Sequence, residues 1–176
     1  MQTFRSSQVN GTIGIGMTAL GMLFLRLSVG AAFIAHGLHK LFGVGGGPGV
    51  GPGGLDQTAA HFTTIGLSPG FLLAVLAGVT QLAGGTLVAA GFLTRWAAVS
   101  LLIYCAIGFW KEHARWGWFL NWISAPGHGH GVEYVVVLAG ALVCLMVIGA
   151  GEWSIDGRRA HSAARAAAGR ARLRRG

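Results

Sequence analysis

The sequence predicts an all-α integral membrane protein: a bundle of four transmembrane helices, both termini cytoplasmic, with a short surface helix in the first outer loop. Three observations carry that reading. Apolar residues make up 53% of the 176 and charged residues only 10%, far from the balance of a soluble domain. Four apolar segments approach the roughly 20 residues that a spanning helix needs. The basic residues collect on one side of the topology those segments define.

The spans are residues 17–42, 70–93, 94–113 and 133–151. Helix rather than strand follows from their length and from the lack of ten-residue alternation. Gly and Ala are dense in all four, which suits close packing in lipid. Ala77, Gln81, Gly85 and Ala89 recur every fourth residue and predict a narrow, small-residue face on the second span. Residues 1–16 form an N-terminal cytoplasmic segment with no cleavable leader pattern, and residues 157–176 a basic cytoplasmic tail. Gly43 to Gly54 is a glycine-rich outer loop with two prolines. Leu55 to Ile65 reads as the surface helix, ended by Gly66 and Pro69. A second outer loop, Ala114 to Gly131, is aromatic at first and closes on Gly127-His128-Gly129-His130.

With four spans the termini share a side with the turn at Thr94 and Arg95. That side holds Arg5, Arg95 and seven tail arginines, against Lys40, Lys111 and Arg115 opposite. Nine against three places both ends in the cytoplasm, and the expected location is a bacterial-type inner membrane. Trp110, Trp116, Trp118 and Trp122 mark the outer interface, and Trp96 and Trp153 the inner one. The net charge of +8 comes largely from the tail, which reads as an anchor facing anionic headgroups. It carries no nucleic-acid reading motif.

Arg26 lies inside the first span, where a charge is costly and is usually paired, cavity-facing or functional. Counted from the apolar boundaries, Gln81 falls at similar depth, so Arg26 and Gln81 are expected as an intramembrane polar pair. A structural arginine and one facing a ligand cavity both fit. A second polar layer gathers near the outer helix ends. His36 and Lys40 are spaced i,i+4 on one face with His39 beside them. Lys111, Glu112 and His113 close the third span and Glu133 opens the fourth, with His61, His128 and His130 in reach from the loops. Histidine titrates near neutral pH and can pass protons or hydrogen-bond a quinone carbonyl. The alternative is an ordinary interfacial belt of paired charges. The seven histidines lack the helical spacings that hold zinc. Cys105 and Cys144 sit at different depths in apolar runs and read as small hydrophobes.

Arg26-Leu27, Gly30, Phe33, His36-Gly37 and Lys40-Leu41-Phe42-Gly43 form a first-span pattern that resembles the DoxX family. So do His61-Phe62 through Ile65-Gly66-Leu67, Leu76-Ala77-Gly78 with Gly84-Gly85, and the turn from Gly91 to Ala98. Gly131-Val132-Glu133-Tyr134 and the exit from Gly149 to Asp156 complete the resemblance over about Leu20 to Asp156. It implies a four-helix membrane bundle and an association with quinone-linked oxidation or redox-stress assemblies. It also implies site candidates at His36, Gly37, Lys40, Glu133 and Tyr134. Many relatives carry a glutamate where this chain has Gln81, so Arg26 lacks the ion pair the family pattern implies.

The expected function is therefore the membrane subunit of a quinone-linked oxidoreductase, with a quinone between the helices, no covalent cofactor, and other redox subunits or a second copy as partners. An accessory subunit without catalysis of its own is the alternative. The chain has no dinucleotide fingerprint, haem-attachment motif or cysteine cluster to move electrons alone. Four spans without an inverted repeat make a poor alternating-access transporter.

Overall fold

The computed structural model describes residues 2–47 and 51–174, with the backbone alone for 2–15. The described residues are helical, apart from turns and loops and one isolated backbone bridge between Gly47 and Gly51. Four long apolar helices make the body: α1 (Gln2–Phe42), α3 (Gly70–Ala90), α4 (Thr94–Gly108) and α5 (Glu133–Ile148). The short α2 (Leu55–Thr64) packs on α3, and α6 (Ile155–Leu173) follows α5. The middle of the glycine-rich loop, residues 48–50, and Arg175 of the tail lie outside the described residues.

The predicted boundaries meet local chemistry. The second span stops at Ala90 rather than Leu93, because Gly91 takes a left-handed conformation (φ 67°) and Phe92 N–H returns to Leu87 O, a glycine-terminated helix end. α4 runs to Gly108 and continues through a π turn, Phe109–His113, so the helical path reaches the predicted residue 113. α5 ends at Ile148, three residues early, at Gly149 (φ 89°). Residues 2–16 extend α1, and the tail is helical as α6. The surface helix forms as expected. Thr58 Oγ1 donates to Gly54 O at 2.9 Å and holds its first turn.

Helix α1 lies antiparallel to α3 at backbone distance. A Cβ on Gly37 would sit 2.6 Å from Leu82 N, and one on Gly85 2.8 Å from Gly30 O. Gly78 receives Leu41, and Gly30 receives Ala89. Small residues at such contacts let helices approach where no hydrophobic force separates protein from lipid. The row facing α1 is thus Gly78, Leu82, Gly85 and Ala89, not the predicted Ala77, Gln81, Gly85 and Ala89. The neighbouring Gly84 receives Leu101 of α4. Gln81 falls between these two faces and points into the bundle, 2% exposed.

The core between the four helices is built from Val29, Phe33, Val88, Leu101, Leu142 and Leu145 among others. Large apolar side chains also cover the outside, among them Phe24, Leu72, Ile103 and Val137. That surface would be a liability in water and is the ordinary exterior of a chain in lipid. Gly16–Phe42 and Gly70–Ala90 are each long and apolar enough to cross a membrane. The end with the α3–α4 turn and the exit of α5 is termed the turn end, and the opposite end the loop end.

Gly85→Ala should lower stability in detergent by about 1–3 kcal/mol, because the added methyl meets α1 backbone. Gly140→Ala, where nothing lies within 4 Å of the new atom, should be neutral or slightly stabilising in the same unfolding measurement. Equal effects would show that backbone contact between α1 and α3 does not hold the bundle.

Candidate functional site

The two polar groups singled out in the first two spans are not neighbours. Gly37 packs on Leu82 and Leu41 on Gly78, which places Gln81 level with Gly37 and Leu38. Arg26 lies eleven residues before Gly37 on α1, about 16 Å by helical rise. The predicted equal depth fails because α1 runs well past the end of α3, so the first apolar residue of one helix does not mark the level of the other's last.

Arg26 sits at the turn end and is 1% exposed. Its Nη2 donates to Trp153 O at 2.6 Å and its Nη1 to Ala89 O at 3.4 Å, while Nε finds no acceptor among the described residues. Gly91 is cut to this group, since a Cβ there would collide with Arg26 Nη1 and with Ser154. The segment that follows is pinned in turn. Asp156 N–H donates to Gly91 O at 2.9 Å. The Asp156 carboxylate accepts from Leu93 N and Thr94 N, both at 3.0 Å. It thus satisfies amides at the start of α4 that have no intrahelical partner, and its charge acts on the Arg26 guanidinium. Ser154 caps α6 by accepting from Gly157 N at 2.9 Å. The arginine, the Gly91–Ala98 turn and the Gly149–Asp156 exit, three separate sequence patterns, form one knot. Arg26 is structural here.

The loop end divides into two groups. In the first, His61 Nε2 of α2 and Glu112 Oε2 of the π turn lie 2.9 Å apart, half and 28% exposed. Glu112 is also the carboxylate whose charge acts on the half-buried Lys40. One layer deeper, Gln81 Oε1 is buried without a hydrogen-bond partner. The contact of Gly84 with Leu101 sets Tyr104 of α4 at the level of Gln81. His36 stands at the side of this layer, exposed, its ring 6.5 Å from that of Tyr134. A π turn adds a residue to the helix and redirects what it carries, as is frequent at functional sites.

The second group braces the long loop. His113 Nδ1 donates to His130 O at 2.8 Å, and Asn121 N donates to His130 Nδ1 at 3.1 Å. Glu133 Oε1 accepts from Leu120 N at 3.1 Å. Asn121 Nδ2 bonds Ala125 O and His128 O, and Trp116 stacks obliquely on His128 at 5.7 Å. His39 belongs to the other loop: its carbonyl accepts from Gly43 N and Gly54 N, and its Nδ1 lies 3.3 Å from Val44 O. Lys111 is exposed. Of the predicted candidates, the structure thus brings Lys40 and Glu112 together, leaves His36 beside them, and gives His39, His113 and Glu133 to the loops. His61 and Gln81 join Lys40 and Glu112, while Tyr104 was not singled out by its residue type or spacing.

An apolar-surfaced helical bundle that buries a few polar side chains, Arg26 and Gln81 among them, is an integral membrane protein. The chain belongs to the DoxX family, whose model matches residues 21–114. That segment holds Arg26, Lys40, His61, Gln81 and Glu112. The chain is also 34% identical over 140 residues to the uncharacterized membrane protein Rv3486 of Mycobacterium tuberculosis, a match covering 78% of this chain and 80% of that protein. No solved structure matches it.

Replacing Arg26 with leucine leaves Trp153 O and Ala89 O buried without their donor. Hydrogen bonds from a charged group contribute about 1.5–3 kcal/mol each, so R26L should lower stability by at least about 2 kcal/mol and raise amide exchange at residues 91–95 and 153–157. R26K, a point charge without the planar fork, should recover part of it. Unchanged exchange in that region would refute a structural Arg26.

Proposed function

We propose that this chain crosses a bacterial-type inner membrane four times with both ends in the cytoplasm, and serves as the membrane subunit of a quinone-linked oxidoreductase. The topology is supported by the antiparallel packing of the apolar helices and by the nine-to-three split of basic residues between the two ends. α4 with its π turn covers 20 residues, about 30 Å. The 16 residues of α5 cover about 24 Å, a shortfall that local thinning of the bilayer accommodates at modest cost.

One observation carries the quinone reading: the buried carboxamide oxygen of Gln81, without a hydrogen-bond partner among the described residues, beneath Lys40 and the His61–Glu112 pair. An unsatisfied buried polar atom costs about 1–3 kcal/mol, so it calls for a partner, either an ordered water or a ligand. A quinone presents two carbonyl acceptors and its reduced form two hydroxyl donors. A carboxamide both donates and accepts, so Gln81 suits either form, and Lys40 supplies a further donor. Bound there, the quinone would supply the electron chemistry. The residues would supply orientation and the proton path. His61 and Glu112 reach from the buried layer to the surface, and an imidazole–carboxylate pair can take and return a proton. His36 and Tyr134 flank the site from the side. Electrons would come from a partner subunit.

Purified chain in lipid nanodiscs should bind ubiquinone or menaquinone at one per chain. Q81L and K40A should each weaken that binding at least tenfold, and E112Q should slow reduction of the bound quinone by added dithionite while leaving binding nearly intact. Chain that takes up no quinone, or binding indifferent to Q81L and K40A, would refute the site and leave an accessory subunit as the reading.

A further inference from the structure

At the turn end, α6 and the segment before it border an open surface cavity of about 400 Å³, lined by exposed side chains. Its lining is Glu152, Trp153, Arg158, His161, Ser162 and Arg165. The last four recur at i, i+3, i+4 and i+7, which is one stripe of a helix. Arg158 and Arg165 lie about 10 Å apart along the axis, and neither forms an ion pair among the described residues. One carboxylate against two guanidinium groups leaves the cavity positive.

Its walls are fixed to the bundle rather than left to a loose tail. The Trp153 carbonyl is held by Arg26, Ser154 caps α6, and Asp156 ties the first turn of α6 to α4. On the other flank of α6, Arg159 lies over the Phe92 ring at 4.6 Å. These contacts set the rotation of the helix and turn the Arg158–Arg165 stripe toward Trp153. The cavity also lies at a definite depth. Trp153 and Trp96, 54% and 75% exposed at this end, are the amphipathic rings that settle at the headgroup layer of a bilayer.

We propose that this cavity is a specific site for the headgroup of an anionic phospholipid whose phosphodiester carries a hydroxylated group, such as a glycerol. Arg158 and Arg165 hold the phosphate oxygens, for which guanidinium is the suited donor. Glu152 and Ser162 accept from the headgroup hydroxyls, and this gives the carboxylate in a basic cavity a role that simple charge attraction does not. His161, whose Nδ1 lies 3.2 Å from Gly157 O, closes the stripe between the arginines. Trp153 seats the glycerol backbone at the interface. The site rests on the membrane reading of the fold and is independent of the quinone site.

The full chain, purified in detergent and in phosphatidylcholine nanodiscs, is titrated with phosphatidylglycerol, and bound lipid is counted by native mass spectrometry. Two double variants remove equal charge from the same helix: R158A/R165A inside the cavity, and R170A/R172A outside it. The proposal expects one tightly held phosphatidylglycerol per chain, at least a tenfold loss of affinity in R158A/R165A, and less than a twofold change in R170A/R172A. E152Q should weaken phosphatidylglycerol binding more than phosphatidic acid binding, since only the former presents hydroxyls to the carboxylate. Glycerol phosphate at millimolar concentration should not displace the lipid. Equal losses in the two double variants would show a diffuse basic surface and overturn the site. Full displacement by glycerol phosphate would overturn the lipid as its occupant in favour of a soluble phosphate ester. Neither result bears on quinone binding, which is read separately through Q81L.

Discussion

A single buried guanidinium organises one end of this molecule. Arg26 reaches from the first apolar helix to the last carbonyls of α3 and to the Trp153 carbonyl beyond α5. Helix ends leave carbonyls and amides without intrahelical partners, and inside an apolar bundle that deficit is costly. The arginine supplies donors to the carbonyls, and Asp156 supplies acceptors to the amides of α4. The two opposite charges therefore share the work of closing helix ends, without forming a direct ion pair. This explains how a cation persists where the apolar centres of the helices hold no carboxylate. Its countercharge comes from a residue after the last span.

The opposite end shows a different use of polar groups. There the loops consume most of the available hydrogen bonding: Asn121, His113, His130 and Glu133 bind loop backbone and so shape the approach to the bundle. What they leave is a small set on α1, α2, α3 and the π turn, where His61 meets Glu112 above Lys40 and Gln81. A rigid rim around an incompletely satisfied interior is what a binding site needs if its first-contact groups are to keep their geometry. The glycine contacts of α1 and α3 add to this rigidity, since backbones in contact cannot slide without collision.

The helices were legible in the sequence because apolar length and glycine punctuation are local signals. Gly91 and Gly149 stop helices within a few residues of the predicted points, and Leu55 to Thr64 forms the surface helix. What was not legible is relative depth. Nothing in the sequence shows that α1 extends beyond α3, so Arg26 and Gln81 were set side by side though a helix's worth of rise separates them. The facing row on α3 was off by one position for a related reason: Gly78 and Ala77 are both small, and only the partner decides which of them meets α1. Long-range capping was invisible as well. Asp156 lies 62 residues from the Thr94 amide it serves, and no local pattern ties a carboxylate to a helix start that far upstream. In the outer layer, residue type marked the right neighbourhood. Histidine spacing alone could not separate His61, which meets Glu112, from His113 and His130, which meet backbone.

The capping of α4 by Asp156 bears on how the polypeptide is completed during synthesis. Translation proceeds from the N-terminus, so α1 and α3 can zip together along their glycines as soon as both have emerged. The Leu93 and Thr94 amides, however, have no native side-chain partner until Asp156 leaves the ribosome, and the Arg26 guanidinium has only Ala89 O until Trp153 does. A nascent chain halted after the final apolar helix but before that point holds every span and still lacks its clasp. One that has emerged past Gly157 has all of it, the Ser154 cap included.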